Sequence, residues 1–250
     1  MTAQFGEREA EMKIGGMIFD LDGTLTDTLQ VALETFREAL RVFTGQIYTD
    51  EEIVARFGPT EEGMLQQLLP TRWKDCLSLY LRIYEREHRR TGRLFPGIET
   101  ALDMLKDRGI PLAVVTGKGA HSAAISLTQL GLTSYFDIIE TGSPEGNIKA
   151  RCIKSVLARW RVPPGQTAYL GDAVSDIEVA RTTGLIPLAA AWDERADPDT
   201  LRRLGPAALF RTVEEFIGWI PTVEPVAERS PRSTPGTPPR DCPVQGDAHR

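Results

Sequence analysis

The chain has 250 residues, of which 41% are hydrophobic, and it carries a formal net charge of −6. This length and hydrophobic content are sufficient for one globular core with an inserted unit. The negative charge and the lack of a dominant basic run argue against nucleic acid as a partner. No window of the sequence approaches the roughly 20 apolar residues of a membrane span, and the residues up to Lys13 contain no apolar signal core. We therefore expect a cytoplasmic protein without membrane association.

The first predicted strand, residues 14–19, runs into a cluster of acidic residues. Its apolar end is followed by the octet Asp20-Leu21-Asp22-Gly23-Thr24-Leu25-Thr26-Asp27. Carboxylates two residues apart on an extended segment point to the same side, so Asp20 and Asp22 are expected to lie together. A cation relieves repulsion between such charges, and one carboxylate can attack an electrophile while its neighbour transfers protons. An acidic turn that caps a helix is the alternative interpretation.

A run of predicted helices follows the octet. Apolar residues recur at helical spacing over residues 29–43, and residues 50–57, 61–69 and 73–89 also have helical patterns, separated by Gly-Pro and Pro-Thr. We expect a helical insertion over about residues 30–93. Its loop Phe57-Gly58-Pro59-Thr60 is the segment expected to face a substrate.

Strands alternate with helices from about residue 97 onward. The strand-like runs are residues 111–115, 136–139, 167–170 and 185–191. This alternation predicts an α/β fold with a parallel sheet, and it places the site beyond the carboxyl ends of the strands.

Two of these strands end at further polar segments. Residues 111–115 run into Thr116-Gly117-Lys118-Gly119, where a hydroxyl and free backbone N–H groups at the start of a helix suit an oxyanion. Residues 167–170 run into Gly171-Asp172-Ala173-Val174-Ser175-Asp176, whose carboxylates are the oxygen ligands that Mg²⁺ prefers. Each segment alone is also compatible with an ordinary helix cap.

The composition changes after Trp219, where prolines are frequent and large apolar residues are few. Such a segment cannot bury enough surface to offset its ordering entropy. We therefore expect a core of residues 12–29 and 94–221, with disordered tails at 1–11 and 222–250. Cys76, Cys152 and Cys242 are scattered and indicate neither a disulfide framework nor a metal site.

Taken together and in order, these segments resemble the motifs of the haloacid dehalogenase (HAD) superfamily. The octet matches motif I at every defining position, Thr116 stands at motif II, and Gly171–Asp176 resembles motif IV. Lys149 is the best candidate for the motif III lysine, although Ala150 follows it where many relatives have proline. The resemblance implies a Rossmann-like α/β core with a helical cap inserted after motif I, as in the phosphoglycolate phosphatase-like subgroup.

The resemblance also implies a role for each matching residue. Asp20 would be the nucleophile and Asp22 the general acid and base in hydrolysis of a small phosphorylated metabolite. Mg²⁺ would be held by Asp20, the backbone carbonyl of Asp22 and Asp172, with Asp176 supporting the metal or its waters. The phosphoryl oxygens would be bound by Thr116, Gly117 and Lys149.

Other activities of the superfamily would require different residues at some of these positions. Dehalogenases and phosphonoacetaldehyde hydrolases lack the second acid of motif I, so the presence of Asp22 disfavours both. The latter also need a cap lysine, and Lys74 is the only lysine in the expected cap. A sugar-phosphate mutase typically has a basic residue after the loop glycine, where this chain has Thr60, Glu61 and Glu62. A mutase and a non-catalytic binding or regulatory module remain as alternatives, and the sequence indicates no oligomeric state.

Overall fold

The computed structural model describes residues 12–226, which form a parallel six-stranded sheet flanked by helices. Its strand order is β6-β5-β2-β7-β8-β9, and two short two-stranded sheets pair β1 with β10 and β3 with β4. The strands are β1 Lys13–Ile14, β2 Gly16–Phe19, β3 Thr26–Asp27, β4 Arg93–Leu94, β5 Leu112–Val115, β6 Ile138–Glu140, β7 Thr167–Gly171, β8 Ile186–Ala190, β9 Ala208–Phe210 and β10 Glu224–Pro225. The predicted α/β class with a parallel sheet is confirmed.

Helices cover both faces of this sheet and also form the insertion between β3 and β4. They are α1 Leu29–Thr44, α2 Asp50–Val54, α3 Glu61–Leu68, α4 Trp73–Thr91, α5 Ile98–Asp107, α6 Ala120–Gln129, α7 Lys149–Trp160, α8 Val174–Thr182, α9 Pro198–Arg203 and α10 Val213–Trp219. Within residues 12–226, none of them combines the length and the hydrophobicity that crossing a bilayer requires.

The central strand β2 is covered on both faces of the sheet, which explains its continuous apolar sequence. All four of its residues are buried, with Met17 and Phe19 in the hydrophobic cluster on one face of the sheet and Ile18 in the cluster on the other. Successive side chains of a strand point to opposite faces, so a strand covered on both sides must be apolar throughout. The burial of β5 and β7 follows the same pattern.

Several element boundaries differ from those predicted. The helix expected over residues 50–57 ends at Val54, because tight turns from Ile53 and Val54 precede Gly58 and Pro59, and a proline disfavours helix at the residue before it. The strand expected at 136–139 is Ile138–Glu140. The edge strand β9 was not predicted from the sequence.

The described chain continues past the expected end of the core at residue 221. Val223 is buried, Glu224–Pro225 forms β10, and the Glu224 N–H donates to the Met12 carbonyl at 2.9 Å. Residues 222–226 therefore belong to the core, which corrects the tail boundary placed at 222. Residues 1–11 and 227–250, with the remainder of both expected tails and Cys242, lie outside the described residues.

The helical insert, residues 29–91, has a hydrophobic cluster of its own. Phe36, Leu40, Leu65, Tyr80 and Tyr84 are among its buried members. The chain enters and leaves the insert through β3 and β4, which pair antiparallel, so the two connections lie side by side. The insert thus packs around its own core and is joined to the rest of the chain through this pair of short strands.

Candidate active site

Three neighbouring strands of the sheet end at the residues that the sequence singled out. Asp20 follows β2, Thr116 follows β5 and Asp172 follows β7. Because β2 lies between β5 and β7, the carboxyl ends of these parallel strands bring the three side chains to one place. The N-terminal residue of α7, Lys149, reaches the same place.

The turn after β2 requires a glycine. Gly23 has φ +82°, and a Cβ there would lie 2.3 Å from Asp172 Oδ2. The Gly23 N–H donates to the Thr26 carbonyl at 2.8 Å, and Thr24 Oγ1 donates to Asp172 Oδ1 at 2.9 Å. Gly23 thus allows the acidic turn to pack against the end of β7, where Thr24 orients the Asp172 carboxylate.

Three carboxylates form a compact cluster at this edge. One oxygen of each of Asp20, Asp172 and Asp176 lies within 4.8 Å of the others. Burial raises the pKa of Asp20 to about 7, with Lys149 opposing this rise and Asp176 adding to it. Burial, and then the charges of Asp176 and Asp20, raise the pKa of Asp172 well above its ordinary value. The cluster therefore holds more negative charge than the buried surroundings favour.

Lys149 is the cation that partly compensates this cluster. Its Nζ lies 2.6 Å from Asp176 Oδ1 and 3.1 Å from Asp20 Oδ2. Burial opposes its charge, but the carboxylates of Asp176 and Asp20 outweigh burial and raise the pKa of Lys149 well above its ordinary value. Asp176 also accepts the Ala173 N–H at 3.1 Å, while Asp20 Oδ1 is buried without a partner among the described residues.

Asp22 has a separate set of partners. Thr28 Oγ1 donates to Asp22 Oδ1 at 2.5 Å, and Lys118 Nζ lies 3.2 Å from each carboxylate oxygen. Lys118 is buried and also lies 4.5 Å from the centroid of the Tyr84 ring. Burial opposes the charge of Lys118, yet the groups around it, Asp22 first among them, together outweigh burial and raise the pKa of Lys118 well above its usual value. Two lysine–carboxylate groups therefore stand next to each other, one at Asp20 and one at Asp22.

A cavity of about 430 Å³ opens over these groups. Its core side is lined by Asp20, Asp22, Thr116, Gly117, Lys118, Asn147, Lys149, Asp172, Ala173 and Ser175. Its other side comes from the insert and includes all four residues of the loop 57–60. Thr116 is buried at its floor, where its Oγ1 accepts the Lys118 N–H at 3.2 Å.

Glu61, the first residue of α3, joins the insert to the core beside this cavity. Its carboxylate accepts the Gly119 N–H at 2.7 Å and the Ser122 hydroxyl at 2.5 Å, at the start of α6. The backbone of α3 also lies close to the core at Gly63, where a Cβ would be only 2.2 Å from the Pro144 carbonyl oxygen. These contacts hold the insert against the core, so the cavity lies between the two.

The predicted site residues all lie at this location, although not all in the same layer. Asp20, Asp22, Thr116, Gly117, Lys149 and Asp172 line the cavity, whereas Asp176 is fully buried behind Lys149. No role was predicted for Lys118 or Thr28, and Glu61 was considered only as a residue after the insert loop that could face a substrate. The signal available for Lys118 was its position in the turn after β5, two residues beyond Thr116.

Comparison with known proteins gives the same family over most of the chain. Residues 17–190 match the family model of haloacid dehalogenase-like hydrolases. The phosphoglycolate phosphatase of Synechococcus elongatus is 29% identical over 190 residues, covering 70% of this chain and 83% of that protein. A phosphorylated carbohydrates phosphatase of Thermotoga maritima is also 29% identical, covering 79% of this chain and 94% of its own length.

A solved structure agrees with these matches. A haloacid dehalogenase-like hydrolase from Streptococcus pneumoniae is 26% identical and superposes with a TM-score of 0.67, covering 82% of this chain and 98% of that one. The family model, the relatives and the fold thus confirm the family predicted from the motifs. The chain belongs to the haloacid dehalogenase-like hydrolases.

Proposed function

We propose that this enzyme hydrolyses a small phosphate monoester through an aspartyl-phosphate intermediate on Asp20, with Mg²⁺ as cofactor. The observation that carries the proposal is the Asp20 carboxylate. It lines a cavity, one of its oxygens is without a partner among the described residues, and Lys149 lies 3.1 Å from the other. A carboxylate held in this way can attack an electrophilic phosphorus.

The acidic cluster fits a magnesium ion. Its three carboxylates offer oxygen ligands within 4.8 Å of one another. Burial and then the neighbouring carboxylates raise the pKa values of Asp20 and Asp172, and a bound cation would offset both effects. Asp20 and Asp172 would hold the ion with the backbone carbonyl of Asp22, and Asp176 would support it. Bound there, Mg²⁺ supplies positive charge that lowers the repulsion between the nucleophile and the phosphoryl oxygens.

In the first step an Asp20 oxygen forms a bond to phosphorus while the bond from phosphorus to the ester oxygen breaks. Asp22 gives its proton to the departing alcohol oxygen. In the second step a water oxygen attacks the phosphorus of the aspartyl-phosphate, Asp22 takes a proton from that water, and the bond between Asp20 and phosphorus breaks. Free phosphate and the original carboxylate of Asp20 result, so the cycle is balanced.

The surrounding residues provide positioning and charge. Lys149, the Thr116 hydroxyl and the Gly117 backbone bind the transferring phosphoryl group, which needs charge stabilisation more than covalent chemistry. Thr28 and Lys118 orient Asp22. The insert, held down by Glu61, excludes bulk water from the reaction.

Two isosteric variants test this function. With an aryl phosphate and Mg²⁺, Asp20→Asn should form no phosphoenzyme and its turnover should fall to near background. Asp22→Asn keeps the nucleophile, and the aryl group leaves readily without protonation. This variant should therefore still form the phosphoenzyme but should hydrolyse it slowly. A phosphoryl label mapped by mass spectrometry to a residue other than Asp20, or full activity of Asp20→Asn, would contradict the mechanism. Tight binding of aryl phosphate by the wild type without any turnover would support a binding module instead.

A further inference from the structure

The two sides of the cavity differ in charge. Both of its lysines, Lys118 and Lys149, belong to the core. Among the described residues that line the cavity, the insert contributes no lysine, arginine or histidine. It contributes seven apolar side chains instead, those of Leu29, Ala32, Phe36, Val54, Phe57, Pro59 and Met64. In the proposed reaction the phosphoryl group occupies the core side, so the leaving group faces the apolar side.

Neither lysine is free to pair with a charge on the leaving group. Lys149 lies against Asp20 and Asp176, and Lys118 lies 3.2 Å from both oxygens of Asp22. The insert adds a carboxylate to the lining, that of Glu61. An anionic leaving group would therefore meet carboxylates and apolar surface, where a buried charge without a partner is costly.

The insert does offer two hydroxyl groups without partners. Thr60 is 2% exposed and Tyr80 is 0% exposed, both line the cavity, and neither Thr60 Oγ1 nor Tyr80 Oη has a hydrogen-bond partner among the described residues. A buried polar atom left without a partner costs free energy, and most such atoms in proteins are paired. These hydroxyls are therefore suited to a polar, uncharged group on a bound molecule.

We propose that the substrate is the phosphate ester of an uncharged alcohol with an apolar body and at least one further hydroxyl group. This inference rests on the phosphatase function proposed above and adds the class of leaving group to it. The apolar body packs on Phe36, Phe57 and Met64, while the further hydroxyl bonds to Tyr80. Esters whose leaving group carries a carboxylate or a second phosphate are disfavoured.

The test compares ligands that differ only in this charge. Para-(hydroxymethyl)benzylphosphonate and para-carboxybenzylphosphonate keep the same ring and cannot be hydrolysed, so calorimetry with Mg²⁺ measures their affinity independently of turnover. We expect the hydroxymethyl compound to bind at least about tenfold more tightly than the carboxylate. Equal or tighter binding of the carboxylate would overturn the inference. Turnover of the corresponding aryl phosphates tests the phosphatase function separately, so the two ideas can fail independently.

Two variants locate the effect. Tyr80→Phe removes only the hydroxyl, and it should weaken binding of the hydroxymethyl compound about fivefold while leaving unsubstituted benzylphosphonate unchanged. Phe57 is 44% exposed at the cavity, so Phe57→Arg can add a cation there without disturbing the core. Phe57→Arg should raise the affinity for the carboxylate, relative to that for the hydroxymethyl compound, about tenfold. The neutral control Phe57→Gln should not change this ratio. An equal loss for both ligands in Tyr80→Phe, or no change in preference in Phe57→Arg, would count against the proposal.

Discussion

Replacing the proposed nucleophile should make the metal-free protein more stable. Asp20 is buried among carboxylates, and its pKa in the folded protein is about 7 against 3.8 as the ordinary value. Between these two pH values the unfolded chain releases the proton that the folded protein retains. Stability therefore falls as pH rises from about 4 to about 7, and the whole penalty is present above pH 7. Asp20→Asn has nearly the same shape but does not ionise.

The size of the effect follows from the two pKa values. Their difference corresponds to about 4 kcal/mol at pH 8, as an upper bound. The variant also removes one of the two carboxylate partners of Lys149, which offsets part of the gain. We expect Asp20→Asn to be about 2 to 4 kcal/mol more stable than the wild type at pH 8, which corresponds to a Tm increase of roughly 4 to 16 °C for a protein of this size.

Thermal and urea unfolding in EDTA at pH 8 and pH 5 measure this difference. The gain should shrink strongly at pH 5, and Mg²⁺ at pH 8 should stabilise the wild type more than the variant. Asp22→Asn is the matched control, because its carboxylate is paired with Lys118 and its loss should bring no gain. If Asp20→Asn is no more stable than the wild type at pH 8, or if the gain is equal at both pH values, the charge of Asp20 does not destabilise the metal-free protein.

Two further predictions concern residues that hold the site together. Lys149→Met leaves the buried carboxylates without their cation, so the free energy of unfolding in EDTA should be about 3 kcal/mol lower than that of the wild type. Mg²⁺ should restore part of that stability but not the turnover, and full stability in EDTA would contradict the role of this lysine. Glu61→Gln weakens the contact between α3 and the start of α6, so kcat/KM should fall about tenfold with a Tm change under about 2 °C. Glu62→Gln on the same helix is the control, and an equal loss in both variants would exclude a specific contact at Glu61.

The location of the site could be predicted from the sequence because it depends on strand order alone. Asp20, Thr116 and Asp172 each follow an apolar strand, and neighbouring parallel strands bring their carboxyl ends together. Lys149 was found only through the family resemblance, since a lysine at a helix start has no local signal of burial. The contact that buries it comes from Asp176, 27 residues later.

The contacts between insert and core were not predictable in the same way. Glu61 at a helix start has the pattern of a solvated residue, and its partners lie at Gly119 and Ser122. Lys118 is buried because Tyr84, from the insert, lies beside it. The edge strand β9 has only three residues, too short for a periodic pattern. In each case the deciding contact is distant in sequence or the element is too short.

The octet 20–27 also joins two parts of the enzyme that have different tasks. Its first residue is the proposed nucleophile, and its last, Asp27, pairs with Arg93 where the insert is attached. Thr28, which follows it and precedes α1, holds the Asp22 carboxylate. A displacement of α1 would therefore move Thr28 relative to Asp22, the residue proposed to transfer protons. One short loop thus connects the insert to the proposed acid–base group, and a variant that alters how α1 is held is expected to change the geometry at Asp22 as well.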